Sequence, residues 1–190
     1  RVSRGLGDVY KRQALERGMS SNYTQAAVLS EALASLYKEG DLRLDAYFKA
    51  ADKNGYRFSQ KSGKDDFRCS FRVGEMYLNS AEAAAQSDQL PQARTRLLEL
   101  MQKRYTPEAY TVKATAVNAM NKEALIQEIL DERARELAFE GHRWFDLRRT
   151  TRPRIEKVLK GGTYVLEQDD SRYTIQIPRE AIAANPELSN

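Results

Sequence analysis

The chain has 190 residues, of which 41% are hydrophobic and 31% are charged, and its formal net charge is +4. These values are ordinary for one soluble globular domain, or for part of a larger one. No run of about 18 apolar residues occurs, so the sequence predicts no transmembrane helix. The start lacks the apolar core and the small-residue cleavage site of a signal peptide, so we expect no targeting signal within this segment.

The opening RVSRGLGDVYKRQ accounts for most of the positive charge. It contains four basic residues and one acidic residue, a balance of +3. Because it shows no apolar periodicity, we predict that residues 1–13 are an extraneous, disordered leader and that residues 14–190 form the domain. A basic arm that binds nucleic acid is the alternative, although such arms usually carry a denser basic run.

The sequence offers few residues for the common types of active site. Cys69 is the only cysteine and His142 is the only histidine. The sequence therefore predicts no intrachain disulfide, no metal site and no cofactor. Gly161-Gly162 is a lone turn signal and does not form a phosphate-binding loop.

The first predicted elements are a helix and a hairpin. The apolar spacing in VLSEALASLYKE predicts a helix over residues 28–39 that ends at Gly40. Asn54-Gly55 follows, and a turn of this type between aromatic residues predicts a β-hairpin. The flanking aromatic residues are Tyr47, Phe48, Tyr56 and Phe58.

A predicted helical pair comes next. FRVGEMYLNSAEAAAQ, with Ser70 as a candidate N-cap, passes through SDQLP into QARTRLLELMQKRY. We expect two helices with so short a link to lie antiparallel. The expected contact residues are Ala81, Ala84, Ala93, Leu97 and Leu100. This spacing resembles one tetratricopeptide-type pair, but no second copy follows at a period near 34 residues, so we predict no repeat array.

Beyond that pair, TPEAYTVKATAVNAM (residues 106–120) has no clear period and is predicted to be a connector. Asn121 caps the strongest predicted helix, NKEALIQEILDERARELAFE, which ends or bends at Gly141. Its apolar stripe consists of Ile126, Ile129, Leu130, Ala134, Leu137 and Ala138.

The C-terminal tail is predicted to adopt an extended conformation. Tyr173, Ile175 and Ile177 alternate with polar residues and predict a strand that ends at Pro178. The closing REAIAANPELSN predicts a short turn of helix and an Asn-Pro break.

Three glutamates on the strongest helix decide whether the chain is predicted to be an enzyme. Glu132, Glu136 and Glu140 recur every four residues and share one face. A catalytic hypothesis would pair two of them, one protonated and one ionised. Arginines are interleaved with them, however, and a neighbouring guanidinium lowers the pKa of a carboxylate and makes it a poor proton donor. These arginines are Arg133, Arg135, Arg143, Arg148 and Arg149.

Arg133 lies on the apolar stripe, four residues after Ile129. A buried arginine needs a carboxylate partner, and Glu136, Glu140 and Glu75 are the candidates. The sequence therefore favours a network of arginines and carboxylates that holds the helix to its neighbours, and we predict no catalytic residue. By the same helical spacing, Trp144 is predicted to be a core residue and not a ligand-stacking one.

Four stretches resemble the RagB/SusD family, the surface glycan-binding lipoproteins of Bacteroidetes nutrient-uptake systems. ERARELAFEGHRWFDLRR is similar to the signature helix of the family, and LYKEGDLRLDAYF is similar to its Tyr…Asp-x-Arg segment. IQIPREAIAANPELSN is similar to its closing Ile-Pro…Asn-Pro segment. The helix Arg-x-x-Glu-x-Tyr-Leu…Ala-Glu-Ala is matched by Arg72, Glu75, Tyr77, Leu78, Ala81, Glu82 and Ala83. The resemblance spans roughly residues 25–190, and Gly74 departs from it, since the family usually has a residue such as Leu or Ala there.

The resemblance implies a mainly α-helical SusD-like fold with tetratricopeptide-type helix pairs and a few short strands. It also implies that this chain is the C-terminal portion of an N-terminally truncated sequence. We expect the shared residues to form a structural motif. They are Arg72, Glu75, Glu132, Arg133, Glu136, Glu140, Arg143, Trp144 and Asp146.

For function, the resemblance implies non-catalytic oligosaccharide binding on the extracellular face of the outer membrane, as the lid of a TonB-dependent β-barrel transporter. It implies no nucleic-acid partner, and membrane attachment only through an N-terminal lipid anchor outside this chain. The sugar contacts of the family vary between members, so none is assigned. Available stacking residues are Tyr47, Phe48, Tyr56, Tyr105 and Tyr110. The alternative is a soluble helical scaffold of the tetratricopeptide type that binds other proteins.

Overall fold

The computed structural model describes residues 28–61, 72–159, 162–174, 177, 179–185 and 187. The predictions for the leader (residues 1–13), for Ser70 and for Cys69 lie outside these residues. Among the described residues, no helix is both long enough and apolar enough to cross a membrane.

The chain divides into two compact units, residues 1–143 and residues 144–190. The described helices of the first unit are α1 (Glu31–Ala34), α2 (Arg43–Tyr47), α3 (Val73–Gln86), α4 (Leu90–Met101), α5 (Pro107–Ala119) and α6 (Lys122–Glu136). Helix α7 (His142–Arg149) spans the boundary. The second unit continues with β1 (Ile155–Leu159), β2 (Gly162–Leu166), a 3-10 helix (Ser171–Tyr173) and α8 (Arg179–Ala184). The predicted mainly helical fold is confirmed.

Helices α3, α4 and α6 form the core of the first unit. Helix α3 packs along both α4 and α6. The small and apolar residues predicted at the contact of α3 with α4 are all buried. Helix α6 begins as predicted, because the Asn121 side-chain oxygen accepts a hydrogen bond from the Ala124 N–H at 2.9 Å. Its predicted stripe is buried too, except for Ile126, which is half-buried. It ends at Glu136, and a turn that includes Gly141 (φ 81°) leads into α7.

The predicted connector at residues 106–120 is wrong, because residues 107–119 form α5. Thr106 caps this helix, and Pro107 follows at the first position, where its fixed φ suits a helix start. Val117 is the only residue of α5 that is fully buried. The helix therefore shows no apolar stripe in the sequence, and only its N-terminal cap indicates that a helix begins there.

Helix α1 is shorter than the predicted helix over residues 28–39. At its start, Val28 pairs with Phe58 in an antiparallel bridge, and the Leu29 N–H donates to the Arg57 carbonyl at 2.9 Å. After it, Tyr37 is buried and its hydroxyl donates to the Arg135 carbonyl at 2.8 Å. Tertiary contacts on both sides thus override the local helical pattern.

The chain does reverse at Asn54-Gly55, as predicted. The flanking segments are joined by one isolated bridge, Phe48 with Ser59, and do not form full strands. The regular hairpin consists of β1 and β2, which are antiparallel. Ile155 pairs with Leu166 at one end, and Leu159 pairs with Gly162 at the other. The sequence marked this hairpin only by the turn signal at Gly161-Gly162.

The predicted strand at residues 173–177 is wrong at its start. Tyr173 belongs to the 3-10 helix, where the Asp170 side chain accepts a hydrogen bond from the Arg172 N–H at 2.8 Å. Ile177 has no regular structure, while Ile175 and Pro178 lie outside the described residues. The turn of helix predicted for the tail is confirmed as α8.

Candidate functional site

Three arginines reach the C-terminal half of α6, and backbone pairing positions two of them. The Leu42 N–H donates to the Arg104 carbonyl at 2.9 Å, and the Thr106 N–H donates to the Gly40 carbonyl at 2.9 Å. This pairing sets Arg43 and Arg104 side by side. Arg72 reaches the same place from the start of α3. The three arginines converge on Glu136.

Glu136 is fully buried and accepts hydrogen bonds from all three of these arginines. Arg104 binds it with two nitrogens, Nε at 2.8 Å and Nη2 at 2.9 Å. Arg72 Nη2 lies 2.6 Å from its Oε1, and Arg43 Nη1 lies 3.3 Å from its Oε2. The Tyr47 hydroxyl donates to the same carboxylate at 3.3 Å. Both carboxylate oxygens are therefore engaged.

Arg43 bridges Glu136 to two further buried carboxylates. Its Nη1 lies 2.6 Å from Glu132 Oε1, and its Nε and Nη2 bind Asp41 at 2.9 and 2.8 Å. Glu132 has no exposed side-chain surface, and it is also bound by Arg135 through Nε (2.9 Å) and Nη2 (2.7 Å). Arg43 is thus the central cation of an ion network that we call the α6 network, which comprises Asp41, Arg43, Arg72, Arg104, Glu132, Arg135 and Glu136.

Glu140 extends the α6 network beyond the helix end. It accepts a hydrogen bond from Arg72, and its Oε1 lies 2.6 Å from Lys61 Nζ. Lys61 also donates to the carbonyls of Glu136 and Ala138, the latter at 3.1 Å. A cation at the C-terminal carbonyls of a helix compensates both the charge of Glu140 and the helix dipole.

Arg133 is buried, and it faces α3. Its Nη1 donates to Asn79 Oδ1 at 2.6 Å, and its Nε lies 3.9 Å from Glu82 Oε2. Glu82 was not among the partners that the sequence suggested. Two of those suggested, Glu136 and Glu140, are bound by the arginines and the lysine described above. Arg133 is nevertheless buried, as its position on the apolar stripe predicted.

The remaining motif residues lie around α7. Glu75 Oε1 lies 3.8 Å from His142 Nδ1, and Arg143 is exposed. In the second unit, Asp146 is buried and accepts from Arg149 Nη2 at 2.7 Å. Trp144 was predicted to be core; it is half-buried and stacks on Tyr173 with ring centroids 5.1 Å apart.

The electrostatics of the α6 network do not favour acid–base chemistry. Burial acts to raise the pKa of Glu136, but hydrogen bonds from Arg104 and the charges of Arg104, Arg72 and Arg43 outweigh it and lower that pKa to about 2. Burial likewise opposes a lower pKa at Glu132, and the charges of Arg43 and Arg135 outweigh it. Carboxylates that stay ionised at neutral pH cannot donate a proton in catalysis. Within the described part of the chain, no cluster of His, Cys, Asp or Glu has the arrangement of a metal site.

Sequence reasoning missed Asp41, Arg43 and Arg104 as members of the α6 network. The Asp-x-Arg segment was recognised as a motif, but nothing in its local pattern shows that Arg43 contacts a glutamate 89 residues away. The signal that was present is the charge of α6 itself. Two buried carboxylates on one helix, Glu132 and Glu136, require cations, and some of these must come from elsewhere in the chain.

Gly74 lies against the carboxylate of Glu136. A Cβ added at Gly74 would be 2.7 Å from Glu136 Oε1 and 3.2 Å from Glu136 Cδ. Because three arginines hold that carboxylate, it cannot move aside without breaking ion pairs. This departure from the family pattern therefore lies where α3 contacts the α6 network.

This contact predicts that two opposite substitutions in α3, one from alanine to glycine and one from glycine to alanine, both destabilise the protein. Glycine inside a helix normally costs about 1 kcal/mol relative to alanine, so Ala83→Gly at the exposed Ala83 is expected to destabilise by about that amount. Gly74→Ala is expected to destabilise as well, by about 1–3 kcal/mol, because overpacking outweighs the gain in helix propensity. Urea unfolding measures both. A stabilising Gly74→Ala would show that the carboxylate is loosely held.

The five available stacking residues lie in different environments. Phe48 and Tyr105 are buried, and Tyr110 is half-buried against the core. Tyr47 is half-buried, with Lys61 Nζ 4.2 Å from its ring centroid. Tyr56 alone of the five is more than half exposed, at 53%.

Comparison with known proteins places the chain in a family. The model of the SusD family matches residues 36–190. Among solved structures, a SusD-like carbohydrate binding protein from Bacteroides vulgatus ATCC 8482 aligns with a TM-score of 0.61 and 20% sequence identity. The alignment covers 95% of this chain and 45% of that protein, so the chain spans less than half the length of the protein it matches. Comparison with curated proteins gives no match. Because the family model matches well over half of the chain, the chain belongs to the SusD family.

Proposed function

We propose that the protein binds an oligosaccharide at the cell surface without breaking any of its bonds. Membership of the SusD family carries the proposal, together with the carbohydrate-binding relative of the same fold. The geometry of α6 supports the non-catalytic part. Its buried glutamates are held by arginines, and a pKa as low as that of Glu136 suits an ion pair and not a proton donor.

The setting of this binding is proposed from the family resemblance. The complete protein would lie on the extracellular face of the outer membrane, attached by an N-terminal lipid anchor outside this chain. It would act as the lid of a TonB-dependent β-barrel transporter and release its ligand when the lid opens. In this role the α6 network has a mechanical function, because a lid must move as one body. Ion pairs that join segments around Asp41, Arg72, Arg104 and Glu136 resist local opening.

Binding to soluble oligosaccharides, measured by calorimetry on the complete protein, tests the proposed function. We expect saturable binding to at least one glycan class and no release of reducing sugar on prolonged incubation. Co-purification of a β-barrel transporter from outer membranes tests the lid role separately. Hydrolysis of a bound glycan would contradict the non-catalytic assignment. Binding to other proteins, with no glycan bound, would support the helical scaffold in its place.

A further inference from the structure

Tyr56 is the stacking candidate that the fold presents to solvent. Phe48 is 1% exposed and Tyr105 is 4% exposed, so neither ring is available to a ligand. The hydroxyl of Tyr47 is engaged with Glu136, and Lys61 occupies its ring face. Tyr110 packs against the core. Burial thus reduces the five candidates to Tyr56.

The loop that carries Tyr56 is braced at its base. Arg57 Nε donates to the Lys49 carbonyl at 3.1 Å, and Arg57 Nη2 lies 2.5 Å from Asp45 Oδ1. Gln60 Nε2 donates to the carbonyls of Asp45 and Phe48 at 2.9 and 3.2 Å. These contacts join the two arms of the loop on the side away from its tip.

The tip of the loop is also held in one shape. The Asp52 N–H donates to the Tyr56 carbonyl at 2.9 Å. Asp52 Oδ1 accepts from the N–H groups of Asn54 and Tyr56 at 2.9 and 2.8 Å. A loop that is ordered before binding loses little conformational entropy when a ligand arrives.

The loop that carries Tyr56 also carries exposed polar residues that suit sugar hydroxyls. Asp52, Lys53 and Asn54 are exposed in the same loop. Asp45, which pairs with Arg57 at the base of the loop, has a side chain that is 87% exposed. Carboxylates accept hydrogen bonds, ammonium groups donate them, and amides do both. An apolar ring face with a few polar groups beside it is the combination by which proteins hold small polar ligands.

We propose that the exposed ring of Tyr56, with the polar residues at positions 52–54, is a contact for a pyranose ring of the bound oligosaccharide. This inference rests on the proposed function and deepens it. The loop of residues 48–60 thereby becomes part of the ligand-binding surface. Lys61, which directly follows this loop, is held by Glu140, with 2.6 Å between Lys61 Nζ and Glu140 Oε1.

Tyr164 provides a matched control. It is as exposed as Tyr56, at 57%, and lies on β2 opposite Lys157. The described residues around it form a two-stranded hairpin, an arrangement that is only marginally stable in isolation. Tyr164 lies on a different segment from the loop that carries Tyr56, and we expect it to make no contact with the glycan.

Calorimetry on the complete protein tests the assignment. The variants are Tyr56→Ala, Tyr56→Phe and Tyr164→Ala, and the probes are maltoheptaose, xylohexaose, mannohexaose and chitohexaose. For each probe that wild type binds, Tyr56→Ala is expected to raise the Kd by about tenfold, because it removes the stacking face. Tyr56→Phe keeps that face and is expected to stay within about threefold, and Tyr164→Ala is expected to match wild type.

Two outcomes would overturn the assignment in different ways. If wild type binds a probe and Tyr56→Ala binds it as tightly as Tyr164→Ala does, the assignment of Tyr56 is wrong and the proposed function stands. If wild type binds none of the four probes, the proposed function itself is contradicted, and the assignment falls with it. Thermal unfolding of Tyr56→Ala is expected to match wild type, which separates lost binding from lost folding.

Discussion

Glu136→Gln is expected to lower the free energy of unfolding by about 3–5 kcal/mol, because it removes the carboxylate that three arginines share. The side chain has no exposed surface, and Arg43, Arg72 and Arg104 all point at it. The amide keeps the shape of the carboxylate but carries no charge, and its NH2 group would face donors. Chemical denaturation of the variant and of wild type under identical conditions measures the difference.

An exposed glutamate provides the matched control. Glu99 pairs with Arg96 on the surface of α4, and both side chains are more than 40% exposed. Glu99→Gln is expected to change stability by less than about 1 kcal/mol, because solvent screens such pairs. If Glu136→Gln were as mild as Glu99→Gln and abolished an enzymatic turnover, the catalytic hypothesis would replace the network.

Arg43→Met is the second substitution with a large expected effect, also about 3–5 kcal/mol. Arg43 is 2% exposed, and it contacts Asp41, Glu132 and Glu136 at once. Methionine fills much of the same volume but leaves these carboxylates facing one another with less compensation. The pKa of Glu132 is expected to rise, since the charge of Arg43 is the largest contribution that lowers it. Unfolding free energies measured at pH 7 and at pH 5 test both effects.

Two further variants separate charge from geometry at Arg43. Arg43→Lys keeps the charge, but a single ammonium group cannot reproduce the fork that reaches Asp41 and Glu132, so we expect an intermediate loss. Arg57→Met removes a partly exposed arginine whose partner, Asp45, is 87% exposed, and it is expected to cost less than about 1 kcal/mol. Equal losses for Arg43→Met and Arg57→Met would show that the burial of the α6 network contributes nothing to stability.

The elements with a strong local signal were predictable from the sequence. Helix α6 has both a side-chain cap at Asn121 and an apolar stripe, and its start and its buried side match the prediction. Arg133 interrupts that stripe, and the sequence alone placed it in the interior. The small residues Ala81 and Ala93 likewise marked where α3 and α4 meet.

The features that were missed depend on distant contacts or lack a periodic signal. Helix α5 is mostly exposed, so only Thr106 and Pro107 marked it. The helix predicted over residues 28–39 was too long, because Tyr37 lies outside α1 and its hydroxyl donates to the Arg135 carbonyl, 98 residues away. The partners of Glu136 come from three separate segments, and only the folded chain brings Arg43, Arg72 and Arg104 together. The charged residues of α6 showed that a network was needed, but not which cations would supply it.

The pKa of Glu136, measured by NMR titration of its side-chain carboxyl carbon, tests the central claim most directly. An ion-paired carboxylate is stabilised in its charged form, so we expect a pKa of about 2 and a stability contribution that is lost only as pH falls from about 4.5 towards that value. A measured pKa at or above 4.5 would contradict the account, because it would mean that the buried arginines do not hold this carboxylate in its ionised form.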